Sequence, residues 1–469
     1  MFSLADTERE RSEELDELAE KIPDYIANRR YSELKQILTE MNPADIGDLM
    51  GSLPTKSLPP VFRLLPKELA SEVFVYIDSD AQEQLISTFS DSELKEVVDD
   101  LYIDDTVDII EEMPATVVKR ILKHADSDMR LEINKILKYP KDSAGSVMTT
   151  EYVDLKTGYT VEDSFLRIRR TAVDKETIYT CYVTDDNRKL LGRVTVKDLL
   201  LSEYTDKVVD IMETNIIYVN TSDDREYVAN MFARYDVPTI PVVDAEERLV
   251  GIVTFDDAMD VILDETTEDI EKMAAISPTD KPYSKLTALD LWKKRIPWLL
   301  LLMISATFTG MIISSFENAL ASVVVLTSFI PMLMDTGGNT GSQASVTVIR
   351  SISLGDIEFK NMPIIIWKEV RVALLCGGTL AVTNFAKLML FDKMLLGNSD
   401  ITLSVAFVVC STLVLTVLCA KVIGCTLPMI AKKLGFDPAV MASPFITTIV
   451  DAVSLMVYFR IATVVLHLS

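Results

Sequence analysis

The pattern of apolar positions divides the chain into a front part of short segments and a rear part of long ones. In residues 1–138, apolar residues recur at helical spacing, as in Leu94, Val97, Val98 and Leu101. Proline or an acidic residue opens each short run, as is typical of helix starts. The unit of about a dozen residues predicts an all-α superhelical N-terminal domain of stacked short helices.

Residues 139–255 contain two segments that match each other. Met148-Thr-Thr leads to Gly192-Arg-Val-Thr-Val-Lys-Asp198, and Met212-Glu-Thr leads to Gly251-Ile-Val-Thr-Phe-Asp-Asp257. In each copy a helical segment precedes a strand-like run and an acidic turn, which predicts an α+β unit. The duplication resembles a tandem pair of CBS domains. The resemblance implies adenine-nucleotide binding with Asp198 or Asp257 on a ribose, and a regulatory module without nucleotide is the alternative.

Residues 256–284 follow as a predicted acidic helix that connects the two parts of the chain. Its acids Asp257, Asp260, Asp264, Glu268 and Glu271 recur three or four positions apart and therefore lie along one stripe. A solvated face is the usual explanation for such a stripe. Neutralisation by cations or by facing basic groups is the alternative, because the helix leads directly into the apolar part of the chain.

Residues 285–469 contain five long apolar segments, at about 296–316, 319–334, 369–391, 401–428 and 439–466. Each is long enough to cross a hydrocarbon core of roughly 30 Å. Basic residues concentrate in alternate connections, namely Lys293, Lys294, Arg295, Arg350, Lys360, Lys368, Lys432 and Lys433. We therefore expect an all-α transmembrane domain of five helices in a cell membrane, with the soluble part cytoplasmic and the C-terminus outside. The N-terminus lacks the pattern of a signal peptide.

The second apolar segment ends in a stretch rich in glycine and polar residues, from Pro331 to Gln343. This composition predicts a break in the helix, and irregular backbone at membrane depth occurs where it lines water or is buried in protein. Residues predicted to line a path are Gly337, Gly338, Asn339, Thr340 and Gln343. A glycine face for helix packing is the alternative. Asp335 fits either a lining or a capping role.

The last apolar segment carries one charge between Pro444 and Tyr458, that of Asp451. A carboxylate at membrane depth costs a few kcal/mol on insertion scales and usually faces a partner or water. Side-chain oxygens accompany it along the segment, at Ser443, Thr447, Thr448 and Ser454. Hard divalent cations prefer oxygen ligands, so the pattern predicts a cation path. A structural ion pair with Arg460 or Lys421 is the alternative.

The charge distribution narrows the possible partners. The net charge is −25, and from Lys285 onward the chain has 14 basic and 10 acidic residues, so the front part is a polyanion. Such a part is unsuited to nucleic acid but suits divalent cations, or simply solubility. Five cysteines without a C-x-x-C pair and two distant histidines give no disulfide framework or zinc site. An enzyme is least favoured, because the sequence has no nucleophile–base constellation and no phosphate-binding glycine loop followed by lysine.

The order of these parts resembles the MgtE family of magnesium channels over nearly the whole chain. The motifs that carry the resemblance are Asp142 to Met148, Thr266 to Ile270, Gly337 to Gly341 with Gln343, and Asp437 through Pro444 to Asp451. The resemblance implies a homodimer with one pore between the last helices, lined by Asp451 of both copies. It implies that Asp437 lies at the cytoplasmic mouth and that the acidic helix is a plug held shut by cytoplasmic Mg2+.

The resemblance also implies a set of residues that sense Mg2+. These are Glu72, Asp104, Asp108, Glu226, the carbonyl of Ala233, Asp236, Asp257, Glu265, Glu268 and Asp269. Val237 and Thr180 stand where nucleotide-binding members place an aromatic residue against the base, which argues against a nucleotide in this chain.

Three functions compete at this point. The first is a Mg2+-selective channel closed by cytoplasmic Mg2+. The second is a carrier that couples Mg2+, Co2+ or Mn2+ to Na+ or H+, with Asp451 as a relay. The third is a membrane sensor that transports nothing and signals through its CBS pair. The buried acid and the acidic front part favour the first.

Overall fold

The computed structural model describes residues 4–172, 175–279, 283, 286–441 and 443–467. The chain forms two compact units that divide after Ile262, here called the front unit and the rear unit. This division falls within a continuous acidic helix, which confirms a helix there, although it ends at Met273 and not at the predicted residue 284.

In the described residues, the front unit begins with ten helices where the sequence predicts a superhelix. Side chains of Asn42, Asp78, Ser90 and Asp126 cap the starts of four of them. The apolar faces share one core, in which the rings of Phe62, Phe74 and Phe89 meet. The helices are α1 Leu4–Ala27, α2 Tyr31–Glu40, α3 Pro43–Ser52, α4 Leu58–Phe62, α5 Lys67–Tyr76, α6 Ser79–Thr88, α7 Asp91–Val98, α8 Ile103–Glu112, α9 Ala115–His124 and α10 Ser127–Ile136.

Two matching α+β units complete the front unit. Their elements are β1 Val153–Lys156, α11 Val161–Thr171, β2 Thr180–Thr184, β3 Leu190–Thr195, α12 Val196–Leu201, α13 Val208–Ile211, β4 Val219–Asn220, α14 Arg225–Tyr235, β5 Thr239–Val243, β6 Leu249–Thr254 and α15 Phe255–Met273. In each unit the middle strand pairs in parallel with the first strand and antiparallel with the third. The irregularity in register falls at the same place in both copies, Val183/Thr184 and Val242/Val243. This agreement confirms the predicted duplication.

The rear unit is helical and mostly apolar. After the end of α15 it contains α16 Ala288–Ser315, α17 Glu317–Ser322, a 3-10 helix Val324–Phe329, α18 Ile330–Ser353, a 3-10 helix Phe359–Asn361, α19 Met362–Ala386, a π-helix Lys387–Leu395, α20 Leu403–Lys433, a 3-10 helix Pro438–Met441 and α21 Ser443–Val465. Within the described residues, four stretches are long and apolar enough to cross a membrane. They are Ala288–Ser315, Phe359–Leu395, Leu403–Lys433 and Pro438–Val465.

The predicted break from Pro331 to Gln343 is wrong, and the helix of this region starts later than the predicted span at 319–334. The chain there forms α17 and a 3-10 helix, followed by the unbroken α18. Pro331 lies in the first turn of α18, where a missing N–H group costs the helix no hydrogen bond. The glycines serve close packing: a Cβ at Gly341 would lie 2.8 Å from Ile446 Cγ2 and 3.4 Å from the carbonyl oxygen of Ala420. The alternative of a glycine packing face therefore describes this helix.

Candidate metal sites and ion path

Asp451 lies on α21, half-buried, and its Oδ1 atom is enclosed without a hydrogen-bond partner in the described part of the chain. The structural ion pair considered for it does not form there: Lys421 Nζ lies 3.3 Å from Glu369 Oε2 instead, and Arg460 is exposed. A buried carboxylate oxygen without a partner costs a few kcal/mol unless water or a cation reaches it. The geometry therefore favours a hydrated path at Asp451.

A polar stripe of exposed side chains runs along α18. It consists of Asp335, Asn339, Gln343 and Thr347, which recur every four residues and are exposed. Asn339 Nδ2 donates a hydrogen bond to Asp335 Oδ1 at 3.1 Å, and the charges of Asp335 and Asp451 are close enough to interact. Polar side chains at membrane depth face water or other protein. Asp335 was considered from sequence for lining or capping, and the spacing of four could have added Thr347.

The other predicted lining residues lie elsewhere in the rear unit. Gly337, Gly338 and Thr340 are buried on the packed face of α18, where a Cβ at Gly338 would lie 2.8 Å from Thr447 Cγ2. Thr447 and Thr448 are half-buried, and Thr448 Oγ1 donates to the carbonyl oxygen of Pro444 at 3.1 Å. The side chain of Ser443 lies outside the described residues. Asn339 and Gln343 are thus the members of the predicted set that face outward.

Asp437 lies in the connection before α21 and contacts the last turns of α15. Its Oδ2 atom is 2.6 Å from Lys272 Nζ, and its Oδ1 accepts a hydrogen bond from the Ala439 N–H at 2.8 Å. Lys272 also pairs with Glu268, and Ser353 Oγ donates to Asp269 Oδ2 at 3.4 Å. The predicted residues Glu268, Asp269 and Asp437 therefore meet at one place. Sequence reasoning missed Lys272, although its position four residues after Glu268 on a predicted helix indicates an ion pair.

A second group of acids lies in the front unit, around the start of α8 and the start of α15. Asp104 is 7% exposed, and its burial and the charge of Asp257 raise its pKa well above the ordinary value. Loss of water around the carboxyl, and then the charge of Asp257, raises the pKa of Asp108 to about 7. Burial raises the pKa of Asp257 itself to about 6, against the opposing hydrogen bond from Thr254. The predicted residues Asp104, Asp108 and Asp257 are thus electrostatically coupled.

Sequence reasoning missed further acids in this group. Burial raises the pKa of Glu176 to about 8 and that of Asp105 to about 6, with contributions from Asp256 and Asp257. The Oε2 atom of Glu176 is enclosed without a hydrogen-bond partner among the described residues. Glu151 belongs to the same group, and its Oε2 accepts a hydrogen bond from the Ile103 N–H at 3.0 Å. These acids come from distant parts of the chain, so no local spacing pointed to them.

The remaining predicted sensing residues are spread over the front unit and α15. Glu72 is exposed on α5, and Glu265 is half-buried on α15. Glu226 and Asp236 lie at opposite ends of α14, about 15 Å apart at 1.5 Å per residue. Ala233 and Asp236 share the C-terminal end of that helix, where carbonyl groups lack partners within the helix. Across the described residues, no three His, Cys, Asp or Glu side chains are arranged to hold a metal ion by themselves.

A cavity of about 560 Å³ opens beside β2 and α12 of the first α+β unit, and Pro238 of the second unit also borders it. Its lining residues are Tyr179, Thr180, Thr195, Val196, Lys197, Leu200, Leu201 and Pro238. Asp198, the predicted ribose ligand, caps α12: its Oδ2 accepts hydrogen bonds from Thr195 N at 3.0 Å and from Thr195 Oγ1 at 2.6 Å. The aromatic side chain at this cavity is Tyr179, one residue before the position considered from sequence.

Comparison with known proteins matches each part of the chain. A family model described as the divalent cation transporter MgtE matches residues 330–461, and the MgtE intracellular N domain matches residues 41–142. CBS domain models match residues 144–203 and 208–264. The magnesium transporter MgtE of Thermus thermophilus is 34% identical over 438 residues, 92% of this chain and 95% of that protein. The magnesium transporter MgtE of Bacillus subtilis is 32% identical over 452 residues, 96% of this chain and 98% of that protein.

Among solved structures, the cytosolic domain of the Mg2+ channel MgtE in complex with ATP is 35% identical, with a TM-score of 0.49. It covers 52% of this chain and 99% of its own length. The soluble part of a magnesium transporter is 27% identical with the same TM-score of 0.49, and covers 54% of this chain and 99% of its own length.

Proposed function

Because this chain belongs to the MgtE family of magnesium transporters and so carries Mg2+ across a membrane, we propose that it does so as a channel closed by cytoplasmic Mg2+. The observation that carries this proposal is the enclosed, unpartnered Oδ1 of Asp451 on the last apolar helix. Mg2+ sheds its water reluctantly and usually keeps several water molecules in a site. A carboxylate reached by water therefore suits passage of the ion with most of its hydration shell.

The polar stripe of α18 supports a second copy of the chain as partner. Asp335, Asn339, Gln343 and Thr347 are exposed in the single chain and unsuited to lipid. In a homodimer two such stripes and two Asp451 side chains would enclose one path along the symmetry axis. The distribution of basic residues between the spans supports a cytoplasmic front unit and an outside C-terminus.

The acids of the front unit supply the proposed response to Mg2+. Asp104, Asp105, Asp108, Glu176 and Asp257 all have raised pKa values, so ionising them in the packed arrangement is unfavourable. Bound Mg2+ would neutralise them and favour the packed, closed state, whereas its loss would let the acids separate. The ion shifts the population because it binds the packed state better. The same physics applies to Glu72, Glu226, Asp236, Glu265 and the Ala233 carbonyl, which we retain as sensing residues.

The experiment that tests this function measures Mg2+ flux into vesicles containing the purified protein while the Mg2+ concentration on the front-unit side is varied. We expect flux to fall as that concentration rises and to persist without a Na+ or H+ gradient. A requirement for either co-ion gradient would establish the coupled carrier instead. Flux that is absent under every condition would support the signalling sensor.

Removing sensing acids should raise the Mg2+ concentration needed for closure. In the double variant Asp257→Ala/Glu265→Ala we expect the closing midpoint to rise about tenfold, since two ligands for the regulatory ion are lost. Asp186→Ala, at an exposed acid in the turn between β2 and β3, is the matched control and should close like the parent. Equal midpoints for the double variant and the control would contradict the sensing role.

A second proposal concerns the cavity beside Tyr179. Its volume lies within the range of small-molecule sites, and it combines an aromatic ring with the ammonium group of Lys197. We infer that it takes an adenine nucleotide, with the base against Tyr179 and the phosphates near Lys197. Calorimetry with ATP should give binding that Tyr179→Ala weakens about tenfold through lost ring contact. ATP binding that is absent, or equal in the parent and the variant, would refute this inference.

A further inference from the structure

The rear unit contains a cationic side chain at a place where the sequence predicts metal ligands. Lys272 lies in the last turn of α15, with Nζ 2.6 Å from Asp437 Oδ2 and in an ion pair with Glu268. Its side chain is 23% exposed, and those of Asp437 and Glu268 are 34% and 30% exposed. The ammonium group is therefore largely enclosed between two carboxylates, one on its own helix and one 165 residues further along the chain.

A third carboxylate faces the same group. Burial and the charge of Asp437 raise the pKa of Asp269, while Lys272 and the hydroxyl of Ser353 oppose that shift. Burial would lower the pKa of Lys272, but its hydrogen bonds to Asp437 and Glu268 outweigh burial and raise the pKa above its ordinary value. A lysine ammonium group paired with two carboxylates is charged at neutral pH. Counted at formal charges, Lys272 and the three acids Glu268, Asp269 and Asp437 sum to −2, and the three acids alone sum to −3.

We propose that Lys272 is a built-in cation which neutralises Asp437 and Glu268, so that this contact forms without a regulatory Mg2+ between them. The inference rests on the proposed closure by Mg2+, and it specifies which contacts in the closed state need the ion and which form without it. The end of α15 is fixed against Asp437 by the protein's own ammonium group. Mg2+ is then required at the other acids, among them those around Asp104 and Asp257.

The test compares the closing midpoint for Mg2+ in vesicles containing the parent, Lys272→Gln and Lys272→Arg. Loss of the cation leaves three acids to repel one another, so Lys272→Gln should need about fivefold more Mg2+ to close, the size expected for a partly exposed ion pair. Lys272→Arg retains the charge and should close like the parent. If Lys272→Gln does not fold, as judged by elution profile and thermal unfolding, Lys272→Met replaces it with the same expectation.

The variant Asp437→Asn distinguishes two effects of Lys272, namely neutralisation of the acids and physical contact between α15 and Asp437. It breaks the same ion pair but also removes a negative charge, so its midpoint, normalised to its own maximal flux, should rise less than that of Lys272→Gln. Parent-like or lower midpoints in both Lys272→Gln and Lys272→Met would overturn the inference, and so would a rise in Asp437→Asn equal to theirs. A parent whose flux ignores Mg2+ would instead refute the proposed function, so the two failures are distinguishable.

Discussion

Asp451→Asn is expected to reduce Mg2+ flux by more than about tenfold while leaving the protein folded. The substitution keeps the shape of the side chain and removes its charge. At a half-buried position the attraction between a carboxylate and a divalent cation is far stronger than in water, and a loss of about 1.4 kcal/mol already corresponds to a factor of ten. Flux of Mg2+ into vesicles containing the purified variant measures the effect.

Two features of this experiment make the result specific to the proposed path. Asp356→Asn removes an exposed acid from the connection between α18 and α19, and it should leave flux unchanged. Thermal unfolding of Asp451→Asn should occur at or above the parent's temperature, because an enclosed, unpartnered carboxylate oxygen is replaced by a neutral group. Parent-level flux in Asp451→Asn would show that Mg2+ takes another route.

The domain order followed from sequence because its signals are local. Short amphipathic runs with capping residues gave the front helices, and the repeated Gly-x-Val-Thr-x-x-Asp ends gave the paired α+β units. In the structure these repeated ends form strands β3 and β6 and the helices that follow them, each starting after a threonine. The buried charge of Asp451 could also be predicted from local sequence, since a single acid in a long apolar run is recognisable without knowledge of the fold.

The continuity of α18 could not be predicted from local sequence. Glycine and proline have poor helix propensity, so Pro331 and the glycines up to Gly341 predicted a break. Tertiary packing overrides that propensity: the missing side chains let α18 lie directly against α20 and α21. Propensity is a weak prior when small residues are selected for contact between helices. The same contact hides Gly337 and Gly338 and leaves Asn339 and Gln343 on the outer face.

The long-range acid groups were predicted only through family resemblance, and incompletely. Resemblance supplied Asp104, Asp257, Glu268 and Asp437, but gave no sign of Glu176 or Lys272. Both side chains interact with residues that are distant in the sequence, and composition and spacing cannot predict such contacts. The ion pairs of Lys272 with Asp437 and Glu268 change the chemistry of a predicted metal site, because two carboxylates there already have a cation.

The close approach of α20 to α18 at Gly424 is expected to make Gly424→Ala strongly destabilising. Gly424 lies on α20 opposite α18, and a Cβ there would overlap the carbonyl oxygen of Gly341 and lie 3.1 Å from its carbon. It would also lie 3.2 Å from Ala344 Cβ. Because the obstacle is helix backbone, no rotamer change relieves it, and the two helices must move apart. We expect a loss of about 3 kcal/mol in the free energy of unfolding, at the upper end for overpacking.

Gly378→Ala is the matched control, because Gly378 lies within the membrane-spanning helix α19 and a Cβ there would meet nothing within 4 Å. It should be neutral or stabilising by up to about 1 kcal/mol, through the better helix propensity of alanine. Thermal unfolding in detergent compares the variants, and flux in vesicles should fall for Gly424→Ala alone, since displacing α18 also displaces its polar stripe relative to Asp451. If Gly424→Ala unfolds at the same temperature as Gly378→Ala, the glycines do not set the distance between α18 and α20. Another contact would then have to hold the polar stripe beside Asp451.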